Sequence, residues 1–437
     1  MTLLAALLLV STQTSSTATV TPPLEGLVLD ESPLTTSIRP EPGSEVEIGR
    51  TLLDIPGAFI ELAFMPLQPL VELSERYQVH QRLFDLITND ELTFAASPVI
   101  EVFSSSGIGF GGAALYNDPL LSSDRVSAIV IGRVNGDISS TGVIAHRLPS
   151  MSGRTIKLEG GYYLNHDFRY YGVDPDNTGV RTLIEDEGVD VVLTLQVLNP
   201  GDSDFRLYLS GAYRHRELVP GTPTATSLDL PITPGDGFTA PGGFNQSLDY
   251  PEAGLRLEFD SRDSGGRTTT GAVASVEGVF TRDLQGAGTG GLQGTTQLSF
   301  FAPVLPLHRV VFMQFGAKFA APIQGTLPLH NLVRLGGQHT LRGYDTERFL
   351  GRFGWWSTFE YRYKVFEETD TGIGFSAALF FDAGQVGEDF GRMMMSPVRW
   401  SAGLGLRLEH SLFLLGRLQL GFSPEGIQVS VGLGELL

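Results

Sequence analysis

The chain has 437 residues, of which 42% are hydrophobic and 10% aromatic, with 53 glycines, 25 prolines and no cysteine. Without cysteine it can hold neither a disulfide framework nor a thiolate metal or redox site, and a formal charge of −19 with no basic stripe argues against nucleic acid as a partner. Abundant glycine and short apolar runs point to many strands and turns rather than to the two or three soluble domains such a length would suggest.

In chain order, MTLLAALLLVSTQTSSTA opens with an apolar core, Leu3 to Val10, and ends with small residues at Ser16 and Ala18. This is the pattern of a signal peptide over residues 1–18, although no Lys or Arg precedes the apolar core, which is too short to cross a bilayer. Residues 19–50 are rich in Pro, Thr, Ser and Glu and are expected to be a flexible linker. Residues 51–96 are expected to form a helical periplasmic segment, because Leu70, Leu73, Tyr77, Phe84 and Ile87 recur at helical spacing. Such a segment either packs as an ordinary helix or lies against a membrane or barrel. The longest apolar stretch, Ile55 to Leu73, is interrupted by Pro56, Glu61, Pro66 and Pro69, so no helical span of about 18 apolar residues exists.

From Ser97 onward the hydrophobic period becomes two. In GRFGWWSTFEYRYKV, Phe353, Trp355, Phe359, Tyr361, Tyr363 and Val365 share one face. The other face carries Gly354, Trp356, Thr358, Glu360, Arg362 and Lys364. GIGFSAALFFDAG sets Phe375, Leu379 and Phe381 opposite Ser376, Phe380 and Asp382. Alternation places successive side chains on opposite faces of a strand. Counted this way, residues 97–437 contain sixteen strands, at 98–104, 107–117, 124–134, 139–148, 154–166, 188–198, 203–215, 249–260, 268–281, 291–303, 307–320, 352–365, 371–382, 398–409, 412–422 and 426–434. Links after even-numbered strands are short (LNPGD, APVLPL), whereas several after odd-numbered strands are long: 167–187, 216–248, 321–351 and 383–397. Long strands, an even count and sorted loops predict an all-β, transmembrane antiparallel barrel with short periplasmic turns and long extracellular loops. Closure also removes the edges that hydrocarbon would not tolerate.

The link between the eleventh and twelfth strands contains LGGQHTLRGYDTERF. Its Leu341-Arg342-Gly343-Tyr344 resembles the (V/L)RG(F/Y) motif of the BamA/TamA superfamily of outer-membrane assembly and translocation barrels, the bacterial surface antigen family. HDFRYYGVDPDN, FDSRDSGGRTTTGA and SAGLGLRLEH are similar to further segments of that family, and the resemblance covers roughly residues 97–434. It implies a sixth extracellular loop folded back into the lumen, with its arginine held by acidic residues of the next two strands. Glu360 and Asp382 occupy those strands and fall on the polar face. An arginine suits such a place because its rigid fork of donors can bridge two carboxylates.

The resemblance further implies location in the bacterial outer membrane and contact with its bilayer. It also implies client outer-membrane or secreted proteins and a separate periplasmic adaptor, because no POTRA domain is recognisable before Ser97. A seam between first and last strands is implied as well; here the first begins at a proline and the last is interrupted by Gly432 and Gly434, and glycine weakens a strand interior. The alternative is a passive pore or structural surface barrel without client handling. Neither a cofactor nor a catalytic set is expected: His166, Asp167, His330 and His339 lie near loops or strand ends without a nucleophile motif. Asp174, Asp176, Thr178, Gly179 and Glu185 fall at calcium-loop spacing, but Pro175 and the lack of flanking helices favour an ordinary acidic loop.

Overall fold

The structure is a computed structural model that describes residues 93–435, apart from 104–106, 118–123, 149–153, 174–178, 199–203, 226, 236–237, 264–267, 286–288, 305–308, 368–372 and 411–412. The expected signal peptide, the linker and nearly all of the helical segment lie outside the described residues.

The first eleven strands are β1 (Phe94–Phe103), β2 (Gly107–Asn117), β3 (Asp124–Arg133), β4 (Ile138–Leu148), β5 (Arg154–Tyr170), β6 (Thr182–Leu198), β7 (Phe205–Pro220), β8 (Gln246–Asp260), β9 (Gly271–Arg282), β10 (Thr289–Val304) and β11 (Arg309–Gly325). Two short strands follow, β12 (Val333–Leu335) and β13 (Phe349–Gly351). The remainder are β14 (Phe353–Glu367), β15 (Ile373–Gly387), β16 (Arg399–His410), β17 (Phe413–Ser423) and β18 (Gly426–Glu435), with a short helix α1 (Phe390–Met395) between β15 and β16. Sixteen strands close into one antiparallel barrel in chain order, β11 pairing directly with β14, while β12 and β13 form a separate two-stranded ribbon.

Burial follows the alternation. Phe315, Phe359, Phe381 and Trp400 point outward and are 45–47% exposed, whereas Thr358, Glu360, Asp382 and Ser401 on intervening positions are buried. Outward aromatics pair across strands: Phe381 stacks on Trp400 at 6.4 Å and Phe315 on Trp355 at 6.3 Å. No helix among the described residues is long and apolar enough to cross a membrane. The apolar outer band and the closed ladder are instead those of a transmembrane barrel.

Several strands run past their expected ends on the long-loop side. β5 reaches Tyr170, β6 starts at Thr182, β7 reaches Pro220, β11 reaches Gly325 and β15 reaches Gly387. Beyond the hydrocarbon both faces of a strand can be wet or covered by loops, so pairing continues after the apolar alternation has stopped. At the other limit, β1 begins at Phe94. Phe94, Ala95 and Ala96 pair with Tyr116, Leu115 and Ala114, so these three residues belong to the barrel and not to the expected helical segment.

One junction differs from the others. Among the described residues, β1 meets β18 through two residue pairs, Val102 with Val431 and Phe103 with Ser430. Counted the same way, the shortest of the other barrel junctions have nine.

Candidate functional site

The connection from β11 to β14 turns into the barrel. Its β12–β13 ribbon pairs Val333 with Gly351 and Leu335 with Phe349. The ribbon sits on an apolar cluster of Val333, Leu335, Leu341, Tyr344, Phe349 and Val386, with Tyr344 edge-on to Phe349 at 4.9 Å. Burial pushes the Tyr344 phenol above its ordinary range. A second cluster, including Tyr170, Leu218, Leu329 and Leu350, fixes the base of the loop against the extended strand ends. Gly336 and Gly337 both adopt positive φ, +118° and +88°, which lets the chain reverse toward its tip.

At the tip, Arg342 is 7% exposed. Its Nη1 donates to Glu360 Oε2 at 2.7 Å, its Nη2 to Asp382 Oδ1 at 2.7 Å and its Nε to Asp382 Oδ2 at 3.0 Å. Its backbone N–H also donates to Asp382 Oδ2, at 3.1 Å. Register explains the convergence: Glu360 lies opposite Phe380, and one inward row further on Asp382 lies opposite both Thr358 and Ser401. Thr358 and Ser401 hydroxyls complete the Asp382 carboxylate at 3.0 and 3.1 Å. The Phe380 ring lies 3.5 Å beneath the guanidinium carbon, a cation–π contact strengthened by exclusion of water.

Glu360 also accepts from Arg362 Nε and Arg407 Nη2, both at 2.8 Å. Three guanidinium groups therefore surround two carboxylates, and removal of either acid would leave buried positive charge without compensation. Backbone fit is equally tight. A Cβ on Gly343 would lie 2.8 Å from Ser401 Cβ and from the Phe422 carbonyl carbon, and one on Gly421 would collide with the Arg342 backbone. Gly403, paired with Gly421, leaves the space that the Phe380 ring fills.

Residues flanking the tip make further ties. Asp345 accepts from Tyr171 Oη at 2.6 Å, Arg169 Nη1 at 3.1 Å and Gln428 Nε2 at 2.7 Å. Arg348 forks onto Glu425 at 2.8 and 2.9 Å and stacks on Tyr171. Ser423 Oγ donates to the Gly343 carbonyl at 2.6 Å. The partners Gln428, Glu425 and Ser423 lie in β18, in the β17–β18 turn and at the end of β17. Alternation alone carries no sign of Arg407, Gln428 or Glu425 as partners, since these meet the loop only through the closed register. Arg169 and Tyr171, which both bond Asp345, do fall within the HDFRYYG segment.

The other candidates have different surroundings. His166 pairs with Glu185 at 2.9 Å, and Glu185 also receives Thr222. Asp174, Asp176 and Thr178 lie outside the described residues. His339 bonds Gln338. His330, 9% exposed, accepts from Arg334 Nη2 at 3.1 Å through Nδ1, while Arg334 forks onto Glu347 with both contacts at 2.6 Å. Burial, then the neighbouring Arg334, hold the His330 imidazole well below its ordinary 6.5. Beside the loop lies a polar cavity of about 830 Å³, lined in part by Glu252, Glu277, Lys318 and Arg334.

A closed barrel with an apolar outer band and a charged loop inside is an outer-membrane-type transmembrane β-barrel. Within that class the chain belongs to the Omp85 superfamily, whose domain matches residues 150–432. The fold is similar to the crystal structure of BamA from Haemophilus ducreyi lacking POTRA domains 1-3, with 15% identity, a TM-score of 0.55, and coverage of 78% of this chain and 70% of that one. It is also similar to CdiB from Escherichia coli, with 17% identity, a TM-score of 0.52, and coverage of 78% of this chain and 63% of that one. No curated protein sequence matches the chain.

Replacement of Arg342 by alanine strands Glu360 and Asp382 and should cost about 3–5 kcal/mol, the range for breaking a buried ion pair. The temperature at which the compact band unfolds on semi-native gels should fall accordingly; an unchanged temperature would contradict the buried bonding. Acid should weaken the base of the loop through His330. Folded His330 stays neutral while the unfolded side chain takes a proton near pH 6.5. The unfolded state therefore binds more protons below that value, so this stability is present above pH 6.5 and declines as pH falls. Unfolding temperatures measured against pH should show that decline in the native chain and a shallower one in His330→Gln; parallel curves would remove His330 from the effect.

Proposed function

We propose that the protein assists insertion or translocation of other proteins at the outer membrane, with the long loops extracellular and the Arg342 loop acting as an internal lock. Membership of the Omp85 superfamily supports the activity class, since barrels of this family handle protein clients in the membrane. The observation that carries the mechanism is the β1–β18 junction, where the described residues form two pairs, the fewest of any barrel junction counted the same way.

The junction between the first and last strands is the place where such a barrel can part and offer its strand edges to another chain. Edge pairing is a general way for one sheet to receive a strand from a client. The lock bears on this junction because Asp345, Arg348 and Gly343 bond Gln428, Glu425 and Ser423, at the start of β18, in the turn that precedes it and at the end of β17. Holding β18 in place from inside while its edge toward β1 parts gives a barrel that is stable yet openable. A separate periplasmic adaptor would deliver clients to this edge.

A disulfide between cysteines introduced at Val102 and Val431, which face one another across the junction, should abolish the activity. In cells depleted of the native protein, outer-membrane protein levels should fall. The double variant should restore them only under reducing conditions. Unchanged levels on depletion would overturn the proposed activity, and full complementation by the oxidised variant would overturn the opening junction.

A further inference from the structure

The segment between β15 and β16 exposes apolar side chains above the outer band. Phe390 is 62% exposed, Met394 58%, Met395 89% and Val398 51%. Phe390 and Met394 lie one turn apart on the same side of α1, while Arg392 points to the opposite side. Asp389 caps the helix by accepting from the Arg392 backbone N–H at 2.8 Å. The helix is therefore amphipathic despite its short length.

Its position relative to the barrel wall is fixed. β15 pairs with β14 without a register shift from Phe381 to Gly387, so Gln385 and Gly387 share the outward face with Phe381. Both are nevertheless buried, because α1 covers them. Gln385 donates to the Ser396 carbonyl at the end of the helix and accepts from the outward Trp355 indole at 2.8 Å. Met393 packs over Gly387, where any Cβ would strike its backbone. The helix thus meets the outward face of the wall through Met393, while Arg392 and Met395 on another side of it line a cavity shared with Gly172, Thr239, Leu332 and Arg352 of the long loops, leaving Phe390 and Met394 turned away from that cavity.

Height can be read from β16. From Trp400 to Leu408 the outward residues span about 20 Å along the barrel axis, given a rise of about 3.4 Å per residue and a tilt of about 40°. Val398, one outward position higher, brings this to about 25 Å, the usual height of an apolar band. Val398, Met394 and Phe390 therefore continue the band at its rim. Methionine, flexible and polarizable, fills irregular surroundings well.

We propose that α1 is an interfacial anchor whose Phe390 and Met394 side chains rest at the headgroup–acyl boundary of the leaflet on the long-loop side. The occupant of this face is lipid, because the patch is continuous with the Phe381–Trp400 band that already meets lipid. The anchor is tied to the loop base: Gly387, beneath Met393, accepts the Arg352 backbone N–H at 2.9 Å just past β13.

The native chain contains no cysteine, so single labels can be placed without background. A fluorescent probe on Met394→Cys, 58% exposed in the native side chain, in the full chain folded into phosphatidylcholine vesicles, is quenched with lipid carrying a nitroxide near the carbonyl. Phe381→Cys serves as the bilayer reference and Leu228→Cys, 71% exposed on the β7–β8 loop, as the aqueous one. Phe390→Cys provides a second position on the helix should the first variant fail to fold. The loss of fluorescence on the helix should approach that at Phe381→Cys. A loss no greater than at Leu228→Cys would overturn the proposal, including the case in which another protein covers the face.

Discussion

A guanidinium carried inside a barrel must find its counter-charges there, and most of this molecule's interior is arranged around that requirement. Arg342 reaches two carboxylates on adjacent strands, Glu360 and Asp382, at 2.7 Å each. Arg362 and Arg407 balance the second contact of Glu360, and Thr358 and Ser401 complete Asp382. A lysine, with a single compact charge, could not make the bidentate contact with Asp382 while also bonding Glu360. The glycines follow from the same constraint. Gly343 and Gly421 allow two backbones to touch, and Gly403 makes room for the aromatic ring under the charge.

The bonds are distributed unevenly around the barrel. The tip holds β14, β15 and β16 on one side and, through Ser423, Glu425 and Gln428, the turn and strand that close the barrel on the other. Among the described residues β18 pairs with β17 at nine positions and with β1 at two. Its position thus depends on the inside contacts more than that of any strand with two complete ladders. Stability near the seam and order in the loop are on this view one property, with the charge cluster as their common support.

Much of this was legible in the sequence, for physical reasons that also set the limits. A strand that separates lipid from a wet interior must alternate, so the strand count and the inward placement of Glu360 and Asp382 could be read from residue parity. The LRGY segment stood out because charge and glycine interrupt an apolar stretch. Phe380 was already an oddity, an aromatic on a polar face, and its place under Arg342 gives the reason. What could not be read depends on register or on surroundings without alternation. The Gly403–Gly421 pair needs the β16–β17 register, and the extensions of β5, β6, β7, β11 and β15 lie where both strand faces are polar or covered. Gln385 was disguised in the same way, an outward polar residue whose cover, α1, is distant in its local pattern.

Hydrogen exchange followed peptide by peptide, in the native chain and in Arg342→Gln, tests most directly whether the internal charge cluster supports the seam. Amides of β18 and β1 should exchange faster in the variant while those of β8 to β10, far from the tip, keep their protection. Unchanged protection at β1 and β18, with the loop itself released, would contradict the coupling and reduce the cluster to a local anchor of its own loop.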